Sequence, residues 1–246
     1  MRLVALGTGP FAVPTLRRLG AAGPEVALVV TRPPRGRRAP AAPMQSAAEE
    51  LGLPLWQPET VNAPEAVARL EALAADLLVV CDYGEILKPA ALAAARLGGI
   101  NLHGSLLPRY RGAAPVQRAV LNGDAETGNT VIHMISRLDA GPCLGAHRTA
   151  IDRDETGGEL ETRLAAMGAD LVAEVIAKLA AGSAEPVPQD PAEATTAPRL
   201  GKDEGAIDWS RSAQAIKDHI RGMQPWPRAF TDVRQPVRGE PLRLIV

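Results

Sequence analysis

Short apolar runs alternate with stretches of helical period over the first part of this chain, and that alternation restricts the fold more than any single residue does. Leu3 to Leu6 is halted by Gly7-Thr8-Gly9-Pro10, after which Val13, Leu16 and Leu19 recur at helical spacing until Gly20 and Gly23. Val26 to Thr31 predicts a second strand, Met44 to Leu51 a helix, and Leu53 to Gln57 a third strand. Asn62 is placed to cap a helix carrying Val67, Leu70 and Leu73; the strand Asp76 to Cys81 follows, and Pro89 to Ala95 leads into the strand Gly99 to His103. Strands separated by helices pair in parallel, so the expected fold is α/β: a Rossmann-like, doubly wound, mostly parallel sheet covered on both faces.

After Asn122 the pattern changes. Thr130 to Ile135 and Gly145 to Ile151 flank Leu138-Asp139-Ala140-Gly141, which predicts two strands joined by a tight connection. Leu160, Leu164, Met167, Leu171, Val175 and Leu179 then form one apolar helical stripe, stopped by Gly182. Pro186, Pro188, Pro191 and Pro198 give the next stretch linker composition. The expected organisation is a catalytic domain at 1–182, a linker at 183–203 and the truncated β segment that begins a C-terminal domain at 204–246. In that last part Ile216, Ile220 and Met223 line a helix ended by Pro225, with Trp209 and Trp226 bracketing it as packing residues, and two strand-like pieces close the chain. Twenty or so residues do not close a β-barrel.

With 46% hydrophobic and 22% charged residues the chain has material for a sizeable core, and a net charge of −1 excludes a polyanion-coating protein. No apolar run, Leu77 to Cys81 among them, approaches the ~20 residues of a membrane span, so no membrane segment is expected. Two distant cysteines, Cys81 in a strand and Cys143 in a connection, lack zinc spacing, and Met1-Arg2-Leu3-Val4 enters a strand without a signal peptide, which fits a reducing cytoplasm.

Asn101 and His103 alternate onto one face at the carboxyl end of their strand, where open α/β sheets place ligands. An amide donor beside an imidazole suits a developing oxyanion, with the histidine donating or moving a proton; such a pair also occurs for purely structural reasons. Asp139 is the third candidate, able to orient a histidine or take protons from an amine, although an aspartate near glycine in a turn is expected on backbone grounds alone. Gly7-Thr8-Gly9 lacks the third glycine of the dinucleotide fingerprint, so no nicotinamide cofactor is expected. Arg32, Arg35, Arg37 and Arg38 form an acid-free basic loop, and Arg96, Arg109, Arg111 and Arg118 suggest a second basic patch. His133, His147 and His219 have no partner at ligand spacing and read as structural.

The run Asn101-Leu102-His103-Gly104-Ser105-Leu106-Leu107-Pro108-Arg109-Tyr110-Arg111-Gly112-Ala113-Ala114-Pro115, followed by Leu138-Asp139-Ala140-Gly141, closely resembles the signature of the folate-dependent formyltransferases, in particular the branch that acts on methionyl-tRNA. The resemblance extends over nearly the whole chain, through Gln57-Pro58, Tyr83-Gly84, Ile86-Leu87, Pro115-Val116-Gln117-Arg118-Ala119, Ile207-Asp208-Trp209-Ser210 and Pro225-Trp226-Pro227. It implies the formyltransferase fold and formyl transfer from 10-formyltetrahydrofolate to the α-amine of methionyl initiator tRNA, by a cytoplasmic monomer without a metal. By matching position Asn101, His103 and Asp139 become the catalytic set, Ser105, Leu106, Leu107 and Pro108 the folate-binding segment, Ile86, Leu87 and Lys88 the backbone that meets the pterin, and Arg32, Arg35, Arg37 and Arg38 a tRNA-binding loop.

Members of this family continue into a C-terminal β-barrel with a basic tRNA-binding surface, of which the chain holds only the beginning, so a fragment or a naturally short form with weaker tRNA affinity is expected. Tyr110 in place of the family's usual tryptophan, and Asp82-Tyr83-Gly84-Glu85 beside the pterin region, are smaller departures that leave room for altered substrate selection. Two alternatives stand beside this reading: formylation of a small amine, such as an amino sugar nucleotide or glycinamide ribonucleotide, and a non-catalytic folate- or RNA-binding remnant.

Overall fold

The structure is a computed structural model that describes residues 1–21, 23–34, 36, 40–234 and 241–246. In chain order it contains β1 (Arg2–Gly7), α1 (Val13–Ala21), β2 (Glu25–Val30), α2 (Pro43–Glu50), β3 (Leu55–Trp56), α3 (Pro64–Ala72), β4 (Leu77–Cys81), α4 (Pro89–Ala93), β5 (Gly99–His103), β6 (Arg111–Gly112), α5 (Pro115–Leu121), β7 (Glu126–His133), β8 (Cys143–Ala150), α6 (Gly157–Ala180), β9 (Thr196–Ala197), α7 (Ala213–Gly222), β10 (Phe230–Arg234) and β11 (Pro241–Ile245). Proline opens α2, α3, α4 and α5 at Pro43, Pro64, Pro89 and Pro115. A first-turn residue needs no N–H for the helix, and the fixed φ of proline already suits it.

Seven strands form one sheet in the order β3-β2-β1-β4-β5-β7-β8. Pairing is parallel from β3 to β5 and antiparallel at β7 and β8, so the mostly parallel doubly wound expectation holds. Alternate residues go to opposite faces. Leu3, Ala5, Leu77 and Val79 pack with Leu16 and Leu19 of α1 and Leu160, Leu164 and Val172 of α6. Val4, Leu6, Leu78 and Val80 pack with Leu70 of α3 and Ala91 and Leu92 of α4. Burial on both faces is why β1 and β4 read as unbroken apolar runs.

Thr156 and Glu159 close a capping box at the start of α6, worth about 1 kcal/mol. The C-terminal part docks through α7, where Met223, Ile216 and Ile220 join Ala114, Leu200, Ile207 and Ala229. Beside them the buried Arg221 guanidinium donates to Asp218 at 2.8 Å and to the carbonyl of Glu155 at 2.9 Å. No described helix is long and apolar enough to cross a membrane.

Several local expectations are corrected. Ala63, not Asn62, is the N-cap of α3; the Asn62 side chain accepts from the Lys88 amide at 2.7 Å and donates to the Ile86 carbonyl at 2.9 Å, bracing the loop after β4. The connection between β7 and β8 is not a tight turn: β7 runs earlier than expected, Cys143 opens β8, and the stretch 134–142 is a broad loop carrying Asp139. Trp209 and Trp226 are 61% and 50% exposed, so they are not packing residues. Most of the second basic patch is neutralised, because Arg96 pairs with Asp76, Arg109 with Asp124 and Arg118 with Glu204, while Arg111 keeps its charge and donates to the neutral Gln189 amide. Within the segment of linker composition, Val187 bridges Cys143 and β9 pairs in parallel with β6, so this stretch is strapped to the sheet-bearing unit.

Leu164 is fully buried where α6 meets the sheet. Leu164→Ala is expected to cost about 2–5 kcal/mol in urea unfolding at unchanged m. A cost below ~1 kcal/mol would mean that α6 is not seated as described.

Candidate active site

A cleft of about 370 Å³ opens at the carboxyl ends of β1, β4 and β5, with Phe11, Asp82, Tyr83, Asn101, His103 and Asp139 among its lining residues. Strand order reverses between β1 and β4, the place at which open α/β sheets bind ligands. Period-two alternation along β5 brings Asn101 and His103 to the same wall. The Asn101 side chain makes no protein hydrogen bond among the described residues, which leaves its amide free to donate into the cleft.

His103 is held on one side by the Tyr110 carbonyl, 2.8 Å from Nε2. A carbonyl only accepts, so Nε2 carries the hydrogen and a neutral ring presents a bare Nδ1. That Nδ1 faces Asp139 Oδ2 at 3.8 Å, too far for a hydrogen bond. Two acceptors face each other across this gap, which makes it a seat for a proton donor such as an incoming amine. The Gly112 amide donates to the same Asp139 Oδ2 at 2.9 Å and holds the carboxylate in place. Asp139 itself has a left-handed backbone, φ +47°.

An acidic group stands elsewhere on the cleft wall. Asp82 also has positive φ, and its carbonyl accepts from the Thr8 amide at 2.9 Å. Its carboxylate lies against Gly9, where a Cβ would fall 1.8 Å from Oδ2, so a larger residue there would displace the Asp82 side chain. The Asp82 side chain is open to the cleft yet ringed by protein, and this desolvation, reinforced by the nearby Glu161 carboxylate and opposed by Arg199, pushes it from 3.8 up to about 6. Burial also raises Glu161, against a stabilising hydrogen bond from Gln117.

A family model described as formyl transferase matches residues 1–176, and one described as formyl transferase, C-terminal domain, matches residues 199–245. The chain belongs to the formyl transferase family. It is 51% identical over 260 residues to the methionyl-tRNA formyltransferase of Rhodopirellula baltica, covering 100% of this chain and 78% of that relative. It is 46% identical over 248 residues to that of Solibacter usitatus, covering 99% and 78%. Among solved structures, a 4-N formyltransferase from Francisella tularensis superposes with TM-score 0.77 at 13% identity, over 100% of this chain and 96% of that one. Glycinamide ribonucleotide transformylase 1 from Symbiobacterium toebii gives 0.64 at 22%, over 77% and 94%. At these identities the structural likeness speaks to the fold.

In this formyl transferase Asn101, His103 and Asp139 converge on one cleft, while the other predicted residues divide. Ile86 and Leu87 line it, but Lys88 does not, and its amide is already committed to Asn62. Ser105, Leu106, Leu107 and Pro108 are not among the residues that line this cleft. Ser105 is sealed, its hydroxyl donating to the Arg109 carbonyl at 2.7 Å, and the Leu107 amide is bound by Thr130; this segment builds the turn behind the wall. Arg32 turns inward, donating to the Gly84 carbonyl at 3.1 Å, whereas Arg35, Arg37 and Arg38 lie outside the described residues. Gln117, Glu161 and Arg199 also line the cleft without having been singled out. Asp82, noted in the sequence only within the departure beside the pterin region, reaches the cleft because it directly follows the apolar strand β4 at the sheet's carboxyl edge. Glu161 and Arg199 carry no local signal, because only tertiary folding brings α6 and the strap to this wall.

With its proton bound more tightly in the folded chain, Asp82 contributes stability at low pH that is lost as pH rises through about 6. Asp82→Asn is therefore expected to raise the Tm at pH 8 and to change it little at pH 4. An equal change at both pH values would contradict this environment.

Proposed function

We propose that this chain transfers the formyl group of 10-formyltetrahydrofolate to the α-amine of methionine esterified to initiator tRNA. The carrying observation is full-length similarity, 51% identical over the whole chain to a relative named for that activity, in a molecule whose cleft gathers Asn101, His103 and Asp139. The amine nitrogen attacks the formyl carbon, and the carbonyl oxygen becomes an oxyanion that the Asn101 amide is free to stabilise. The amine's proton passes into the gap between His103 Nδ1 and Asp139. Protonated Nδ1 then donates in turn, supporting the oxyanion and returning a proton to the folate nitrogen as its bond to the formyl carbon breaks. Ile86 and Leu87 are assigned to the folate, and Arg32, Arg35, Arg37 and Arg38 to the tRNA. The chain is assigned to the cytoplasm as a monomer, with a catalytic domain at 1–182, a connecting segment at 183–203 and the start of a C-terminal domain at 204–246.

The test is formyl transfer by this chain to methionyl initiator tRNA, with glycinamide ribonucleotide, an amino sugar nucleotide and free methionine as competing acceptors. Transfer to the charged tRNA alone supports the reading, transfer to a small amine replaces it, and folate binding without transfer to any acceptor marks a non-catalytic remnant. His103→Ala and Asp139→Ala are each expected to slow transfer by at least ~10²-fold with folding unchanged. Near-normal turnover in either variant would rule out the assigned roles. Arg37→Ala combined with Arg38→Ala is expected to raise the apparent KM for charged tRNA by about tenfold and to leave folate binding unchanged. An unaltered KM would remove the loop from the tRNA site.

A further inference from the structure

Gln189 sits in a segment whose composition reads as linker, and every polar position of its side-chain amide is used. Its Nε2 donates to the carbonyl of Asp139 at 2.8 Å and to the carbonyl of Gly141 at 2.7 Å. Its Oε1 accepts from Arg111 Nε at 3.0 Å and from Arg111 Nη2 at 2.7 Å. Arg111 is followed by Gly112, whose amide donates to the Asp139 carboxylate, so these contacts form a closed ring around one aspartate. The strap also explains Gly112, which has φ +126° and where a Cβ would lie 2.6 Å from the Ala197 carbonyl of β9. A second tie meets the other partner of His103: Thr195 Oγ1 accepts from the amide of Tyr110, whose carbonyl orients the imidazole. Asp139 holds a left-handed backbone, which aspartate adopts more readily than most non-glycine residues and which these contacts pin in place.

We infer that Gln189 is a positioning residue for formyl transfer, fixing the backbone of the Asp139 loop so that its carboxylate faces His103, and that the segment around it is part of the active site. An amide is the side chain this role requires, since it donates to two carbonyls while accepting from a guanidinium. The inference rests on the transfer reaction proposed above. Gln189→Glu separates the two halves of the role, because a carboxylate keeps the Arg111 contacts and turns an acceptor toward the two carbonyls.

The experiment measures steady-state transfer to methionyl-tRNA, together with hydrogen exchange of the Gly112 amide in the full chain without substrates. Gln189→Ala and Gln189→Glu are both expected to lower kcat by on the order of tenfold or more, with the KM for folate unchanged. Gly112 exchange should quicken in both. In an Asp139→Asn background, Gln189→Ala should add less than about a twofold loss, because the two residues act through one carboxylate. Wild-type turnover in Gln189→Glu would overturn the inference and reduce the side chain to a strap on Arg111. Costs that simply multiply with Asp139→Asn, or Gly112 exchange unchanged in Gln189→Ala, would also overturn it. If the wild type transfers nothing to charged tRNA, the proposed reaction fails, and the exchange measurement still decides whether Gln189 holds the loop.

Discussion

The hydrogen bond from His103 to the Tyr110 carbonyl, 2.8 Å long, fixes what the cleft can do. It assigns the hydrogen to Nε2 and leaves Nδ1 opposite the Asp139 carboxylate across 3.8 Å. Neither of those groups can satisfy the other while the ring is neutral, so the gap favours a substrate that brings its own N–H. An amine nucleophile is such a substrate. Asn101 supplies the complementary donor from the same strand face, which separates proton removal from oxyanion support.

Holding this geometry takes three layers of structure. The parallel strands β1, β4 and β5, buried on both faces, give a rigid edge from which Asn101 and His103 project. The antiparallel pair β7 and β8 extends the sheet and carries the Asp139 loop to that edge. The strap from Val187 to Ala197 then ties the Asp139 loop and the Tyr110 segment together from outside. Asp82 and Glu161 add negative potential on the far wall, where burial raises both carboxyls.

Much of the sheet was legible in the sequence. Apolar runs set β1, β2, β4 and β5 because both faces of a parallel sheet are dry, and the α6 stripe is long enough for its period to be unambiguous. Asn101 and His103 were legible by alternation, and Asp139 by its motif. The misses share a cause. Asn62 looked like a cap because local chemistry favours one, but tertiary contacts with Ile86 and Lys88 captured its side chain. The proline-rich stretch looked like a tether because it lacks apolar periodicity, yet it is held by backbone pairing and one glutamine, and neither leaves a periodic trace. Arg96, Arg109 and Arg118 looked like a patch because their acidic partners are distant in sequence.

The most direct test is the tautomer of His103, read by 15N-resolved NMR of the imidazole in the full chain at a pH where the ring is neutral. The geometry predicts hydrogen on Nε2 and a bare Nδ1, with the same tautomer in Asp139→Asn, since the Tyr110 carbonyl sets it. Hydrogen on Nδ1 would leave a lone pair against that carbonyl and contradict the orientation from which the proton path is derived.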